Sequence, residues 1–225
     1  MIITSKNFFS ILNSFLPEKP LIIEAGAFKG KDTKKMATYW PNSIIHAFEP
    51  IPEIFSELCL QTKMYHNIFP HKIALSNKTE RAIFYCAQNP KKPEQLCQAG
   101  SLCKPFKRLE VSSIIYPQTI MVNTITLVDW LFSKNLEKIN LLWLDVQGHE
   151  FAILEASQDL LKNIQLLYLE VNFIEAYENQ PTYKIINNWL LTHDFYPIAQ
   201  DFTNETTWFF GNVLYHNKKF RLKYN

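Results

Sequence analysis

The chain has 225 residues, 47% of them hydrophobic, with 5 glycines and a formal net charge of +2. That length suits one α/β domain over 1–225 with a full core, and the composition excludes a disordered, low-complexity or fibrous chain. Two basic patches on a mildly acidic body, within 91–108 and 218–223, are too local for a general nucleic-acid binder.

The N-terminal stretch Phe8-Phe9-Ser10-Ile11-Leu12 imitates a secretory h-region. Only Lys6 precedes it, polar residues interrupt it and no small-residue cleavage site follows, so residues 1–20 read as a capping helix. Leu21-Ile22-Ile23 is a short apolar run that suits a parallel strand covered on both faces. It ends in Glu24, and Gly26 and Gly30 follow, which reads as strand, tight turn and helix start. The spacing is E-x-G-x-x-x-G. A dinucleotide loop wants G-x-G-x-x-G, and a P-loop wants Gly-Lys-Ser/Thr after an earlier glycine; neither is present. The pattern suits a nucleoside cofactor without a diphosphate, such as S-adenosylmethionine.

A helix over 31–39 leads to a second strand, Ser43–Glu49, closed by Pro50 and Pro52. Glu49 ends that strand where an acid can accept hydrogen bonds from both ribose hydroxyls. Ile54, Phe55, Leu58 and Cys59 fall at helical spacing. A third strand is expected over 67–75, then an extra strand over Glu80–Ala87 after a turn at Asn77-Lys78. Residues 88–118 break the rhythm, being rich in Pro, Lys, Gln and Ser, and read as a long insert. Long loops in compact domains often act as lids, and Lys104, Lys107 and Arg108 would suit an anionic acceptor. The bland alternative for both basic patches, including Lys218, Lys219, Arg221 and Lys223, is solvated surface.

The alternation resumes with a strand over Thr119–Thr126, a helix over Leu127–Lys134 and the strongest central strand, Asn140–Val146. Asp145 closes that strand before the turn Gln147-Gly148. A helix over Glu150–Leu161 follows, with Glu150 suited to its N-terminal dipole. His149 is either a general base for a hydroxyl or a turn residue. A strand over Gln165–Phe173 ends with Glu170 nearby. A helix over 182–193 places Ile186, Trp189 and Leu190 on one face. The stretches 194–201 and 207–216 have no helix between them, which implies an antiparallel hairpin ending a parallel sheet. Cys59, Cys86, Cys97 and Cys103 form no C-x-x-C pair, so a reduced, cytoplasmic protein is expected. No apolar run reaches the length of a membrane span.

These blocks carry a resemblance. Glu24-Ala-Gly-Ala-Phe-Lys-Gly-Lys-Asp32-Thr33, Ala47-Phe-Glu49-Pro50, Ala74-Leu75-Ser76, Asp145-Val-Gln-Gly-His-Glu150, Leu169-Glu170-Val171 and Tyr177-Glu-Asn-Gln-Pro181 stand in order. Over roughly 21–215 the chain resembles FkbM-type S-adenosylmethionine-dependent methyltransferases. The Asp-Val-Gln-Gly-x-Glu and Tyr-x-x-Gln-Pro blocks are the specific ones. The resemblance implies a class I, Rossmann-like seven-stranded sheet in the order 3-2-1-4-5-7-6, with strand 7 antiparallel. It also implies O-methylation of a sugar, glycan or secondary metabolite by in-line displacement. The cofactor-binding set is then Glu24, Gly26, Ala27, Phe28, Gly30, Thr33, Glu49, Pro50, Ala74, Leu75 and Asp145. Asp145, His149 and Glu170 are the candidate bases. Carboxylates at adjacent strand ends could hold Mg²⁺, but metal independence is the favoured reading. Many members carry Asn where this chain has Phe28. Two other classes compete: a non-catalytic binding module, against which the three acids Glu24, Glu49 and Asp145 argue, and a nicotinamide oxidoreductase, which the missing glycine disfavours.

Overall fold

Apolar runs that are hydrophobic on both faces pair side by side at the centre of the protein. A computed structural model describes residues 2–5, 7–206 and 208–220. The strands in chain order are β1 (Ile3–Thr4), β2 (Leu21–Ala25), β3 (Ile44–Phe48), β4 (Ile68–His71), β5 (Ala74–Ser76), β6 (Arg81–Asn89), β7 (Lys92–Leu96), β8 (Ile115–Thr126), β9 (Ile139–Leu144), β10 (Ile164–Asn172), β11 (Phe195–Gln200) and β12 (Phe210–Asn217). The helices are α1 (Phe8–Leu12), α2 (Lys31–Tyr39), α3 (Pro52–Thr62), α4 (Arg108–Val111), α5 (Leu127–Lys134), α6 (Glu150–Ala156) and α7 (Tyr183–Thr192).

The main sheet has eight strands in the order β1-β11-β12-β10-β9-β2-β3-β4. β4, β3, β2, β9 and β10 run parallel, and β12 is antiparallel to both β10 and β11. Period-two alternation divides the strand residues between two cores. Ile23, Ala25, Leu142 and Leu144 pack with Trp130, Leu131, Ile153 and Leu154 from α5 and α6. On the other face Ile22, Leu141 and Trp143 pack with Met36, Ala37 and Leu58 from α2 and α3.

Several expectations need correction. The main sheet has eight strands rather than seven, because Ile3 and Thr4 pair with Ala199 and Gln200. A second sheet, β5-β8-β6-β7, stands beside it. The single strand expected over 67–75 bends at Lys72-Ile73; β4 stays in the main sheet, and β5 leaves it to pair with β8. The insert 88–118 is largely ordered. Lys91 N–H donates to Asn89 Oδ1 (3.0 Å), a local turn that folds β7 back on β6. Among the described residues of 1–20 the helix is five residues long rather than spanning the segment; Phe8 and Leu12 anchor it in the core, and Leu16, beyond its end, packs there too. The helix over 150–161 breaks at Ser157, continuing as a 3-10 segment from Gln158 to Asn163. Thr207, Arg221 and Lys223 lie outside the described residues. Among the described residues no helix is long and apolar enough to cross a membrane.

Candidate active site

The glycine loop is shaped by its neighbour strand. Gly26 has φ 88°, and a Cβ there would collide with the backbone carbonyl of Asp145. The two strand ends are that close because Asp145 N–H donates to the Ala25 carbonyl (3.1 Å). Gly26 and Ala27 N–H groups both donate to the Phe48 carbonyl, fixing the loop against β3. Phe28 takes a left-handed conformation, φ 47°, uncommon for a bulky residue. Its N–H donates to Glu49 Oε2 (3.1 Å), and the Ile51 N–H donates to Glu49 Oε1 (2.8 Å).

A pocket opens at the carboxyl ends of β2, β3 and β9. Its walls are Gly26, Phe28, Glu49, Pro50, Ala74, Leu75 and Asp145 from the main body, and Phe84, Cys97, Gln98, Gly100 and Leu102 from the second sheet and insert. Seven of the expected cofactor residues therefore meet. Glu24, Ala27, Gly30 and Thr33 do not line it. Ala27 is buried in the core beneath the loop, and Gly30 caps α2 with φ 77°. Thr33 Oγ1 donates to Glu24 Oε2 (2.5 Å).

The acids differ in how they are held. Burial pushes the Glu24 carboxyl up to about 8, and the Thr33 hydroxyl opposes this. Glu49 is pushed up to about 7 by burial, against its two backbone hydrogen bonds. Asp145 and Glu170 are also raised, burial being the main cause, and each shares the Gln147 amide: Nε2 donates to Asp145 Oδ1 and Glu170 Oε1, both at 2.8 Å. Glu150 accepts from the Val146 and Gly148 N–H groups (2.9 and 3.0 Å), and burial raises it to about 8. It braces the turn rather than facing the pocket. Gly148, at φ 102°, leaves room for the Tyr177 ring, which a Cβ would strike.

His149 stands apart from the pocket walls. Its Nε2 lies 3.0 Å from Ser76 Oγ and its Nδ1 lies 3.3 Å from Cys103 Sγ. Burial lowers the imidazole to about 4 and raises the Cys103 thiol to about 12, so the pair is neutral and no thiolate forms at neutral pH. Among the described residues no three His, Cys, Asp or Glu groups gather in a metal-holding arrangement.

Sequence reasoning passed over Gln147 and Tyr177 as site residues, and grouped Arg108 with Lys104 and Lys107 in the basic insert. Gln147 and Tyr177 lie inside the two specific blocks, which was the available signal. The Tyr177 hydroxyl is 3.3 Å from Gln147 Oε1 and 3.3 Å from the Tyr116 hydroxyl. Lys104, expected in an acceptor patch, is taken by Glu178.

Comparison with known proteins bears on the family and the fold. The family described as the Methyltransferase FkbM domain matches residues 24–197. The 2-O-methyltransferase NoeI of Sinorhizobium fredii is 26% identical over 162 residues, covering 72% of this chain and 67% of that protein. A crystal structure of methyltransferase FkbM from Methylobacillus flagellatus superposes with a TM-score of 0.55 at 12% identity, covering 88% of this chain. The present chain spans only 44% of that protein's length. Magnesium protoporphyrin IX methyltransferase from Synechocystis, solved with bound S-adenosylmethionine, gives 0.53 at 13% identity, with 94% and 77% covered. The fold shared with these structures is the mixed α/β sheet of class I methyltransferases.

Proposed function

The chain belongs to the FkbM methyltransferase family, and from that premise we propose that it transfers the methyl group of S-adenosylmethionine to a hydroxyl oxygen of a sugar, glycan or secondary metabolite. The observation that carries this reading is the pocket at the ends of β2, β3 and β9, where Gly26, Glu49 and Asp145 meet.

The residues fit such a cofactor. Phe28, Ile51, Leu75 and Phe84 offer apolar surface for a purine. Each Glu49 oxygen already accepts one backbone N–H and retains further acceptor capacity, which suits a ribose diol. Gly26 leaves backbone exposed where a side chain would obstruct. S-adenosylmethionine, when bound, supplies an electrophilic methyl carbon on a sulfonium sulfur.

The remaining work is positioning and proton removal. Asp145 is the base in this reading. It lines the pocket, and burial raises its proton affinity towards what a hydroxyl donor needs. Gln147 holds its Oδ1 and leaves Oδ2 for the acceptor proton. Glu170 does not line the pocket and acts as a positioning residue through the same amide. The similarity to NoeI, a 2-O-methyltransferase, supports an oxygen acceptor. Turnover is expected to persist in chelator; loss that Mg²⁺ restores would overturn metal independence.

Calorimetric titration with S-adenosylmethionine, S-adenosylhomocysteine and NAD tests the cofactor. Binding of the first two is expected, whereas binding of NAD alone, or of nothing, refutes the reading. Incubation with a panel of glycans and hydroxylated metabolites should then yield a product heavier by one methylene.

A further inference from the structure

We propose that Arg108 receives an anionic oxygen group, a carboxylate or a phosphate, from a reactant in the cleft beside the cofactor pocket. The proposal rests on the S-adenosylmethionine reading of that pocket. Arginine is almost never fully buried unless it is paired. Arg108 is only 8% exposed, pairs with no carboxylate among the described residues, and has a buried Nε with no hydrogen-bond partner. Its guanidinium lies 5.6 Å from the Tyr177 ring centre and 5.4 Å from that of Phe209. These contacts orient the guanidinium without neutralising it.

The charge faces a surface a ligand can reach. Arg108 lines a cleft with Lys29, Gln95 and Ile114, and that cleft shares Phe28, Cys97 and Gln98 with the cofactor pocket. Lys29 is already paired with Glu57 at 2.8 Å. Arg108 is therefore the cation of this wall that lacks a carboxylate among the described residues. A planar guanidinium matches carboxylate or phosphate in a two-point contact that an ammonium does not reproduce. The fields of Asp145 and Glu170 reach it, so a role limited to offsetting those acids is the competing account.

Two sources could supply the anion: the amino-acid carboxylate of the cofactor, or the acceptor. Calorimetry on wild type, Arg108→Gln and Arg108→Lys distinguishes them. The probes are S-adenosylhomocysteine, its decarboxylated analogue, and inorganic phosphate added with and without saturating S-adenosylhomocysteine. If the cofactor supplies the anion, Arg108→Gln weakens S-adenosylhomocysteine about tenfold or more and leaves the decarboxylated analogue unchanged. If the acceptor does, S-adenosylhomocysteine binding holds and the phosphate binding of the wild type is lost. Arg108→Lys should keep part of either effect, and it carries the test if the Gln variant fails to fold. Equal losses for both nucleosides without a phosphate effect, or no change for any probe, overturn the proposal. Wild type that binds phosphate through Arg108 but no S-adenosylhomocysteine would keep the anion site and sink the methyltransferase-site reading.

Discussion

Glu24, on β2, and Glu49, just past the end of the neighbouring β3, lie at the same end of the sheet, and both are nearly fully buried, at 2% and 4% exposure. Burial raises both carboxyls. Their partners nevertheless differ in kind. Glu24 takes a hydroxyl from α2 and stays out of the pocket, whereas Glu49 takes two N–H groups from the pocket rim and lines it. Strand alternation explains the split. Glu24 shares a face of β2 with Ile22, whose core includes the α2 residues Met36 and Ala37; the opposite face carries Ile23 and Ala25. An acid inside a strand is committed to one face, while an acid just past the strand end can turn into the crevice. The lesson is that two acids from equally suggestive motifs divide into a brace and a ligand-facing group.

The largest expected effect comes from distorting the glycine loop between the two acids. Gly26→Ala should abolish nucleoside binding and cost roughly 2–3 kcal/mol of stability, because it meets both a positive φ and the Asp145 carbonyl. Calorimetry and denaturant unfolding read the two losses; a variant that still binds would break the account of the loop. Next, Glu49→Gln should weaken S-adenosylhomocysteine by about 1.5–3 kcal/mol, the range for hydrogen bonds to a charged group. Thr33→Ala should do the reverse. It should cost about 1–2 kcal/mol of stability, since Glu24 loses its hydroxyl donor, and leave ligand affinity within about threefold.

The pH dependence sharpens the same contrast. A carboxyl raised in the folded state stabilises the protein fully below its unfolded value and loses that contribution as pH rises through the folded one. Glu24 and Glu150, at about 8, and Glu49, at about 7, should therefore make unliganded stability fall with rising pH from near 4.5. His46, His71 and His149, lowered from 6.5 to about 4, act in the opposite sense between those values. The net decline should be clearest between pH 6.5 and 8, and Glu24→Gln should flatten it in unfolding curves. The smallest effect is expected from His149→Ala. Turnover should change by less than about threefold, since the imidazole bridges Ser76 and Cys103 outside the pocket wall; a hundredfold loss would restore it as the base.

The central sheet was legible because runs such as Leu21–Ile23 and Leu141–Leu144 are apolar without interruption, a pattern with few other resting places. The second sheet was not. β7, Lys-Pro-Glu-Gln-Leu, shows no apolar alternation and is almost wholly exposed; it is a strand because the Asn89 turn returns it to β6. Arg108 could be grouped with Lys104 and Lys107 as acceptor-facing or solvated charge, but its burial was not legible, because the rings that cover it, Tyr177 and Phe209, lie far along the chain. Glu49, Asp145 and the glycine loop could be placed together from their positions at strand ends. The inward and outward facing of Glu24 required the register of β2 against its neighbours.

The most direct test compares Glu24→Gln with Glu49→Gln for S-adenosylhomocysteine affinity, measured by calorimetry alongside thermal unfolding. The account predicts a loss of about tenfold or more for Glu49→Gln and wild-type affinity with altered stability for Glu24→Gln. Equal losses of affinity in the two variants, or a loss confined to Glu24→Gln, would contradict it.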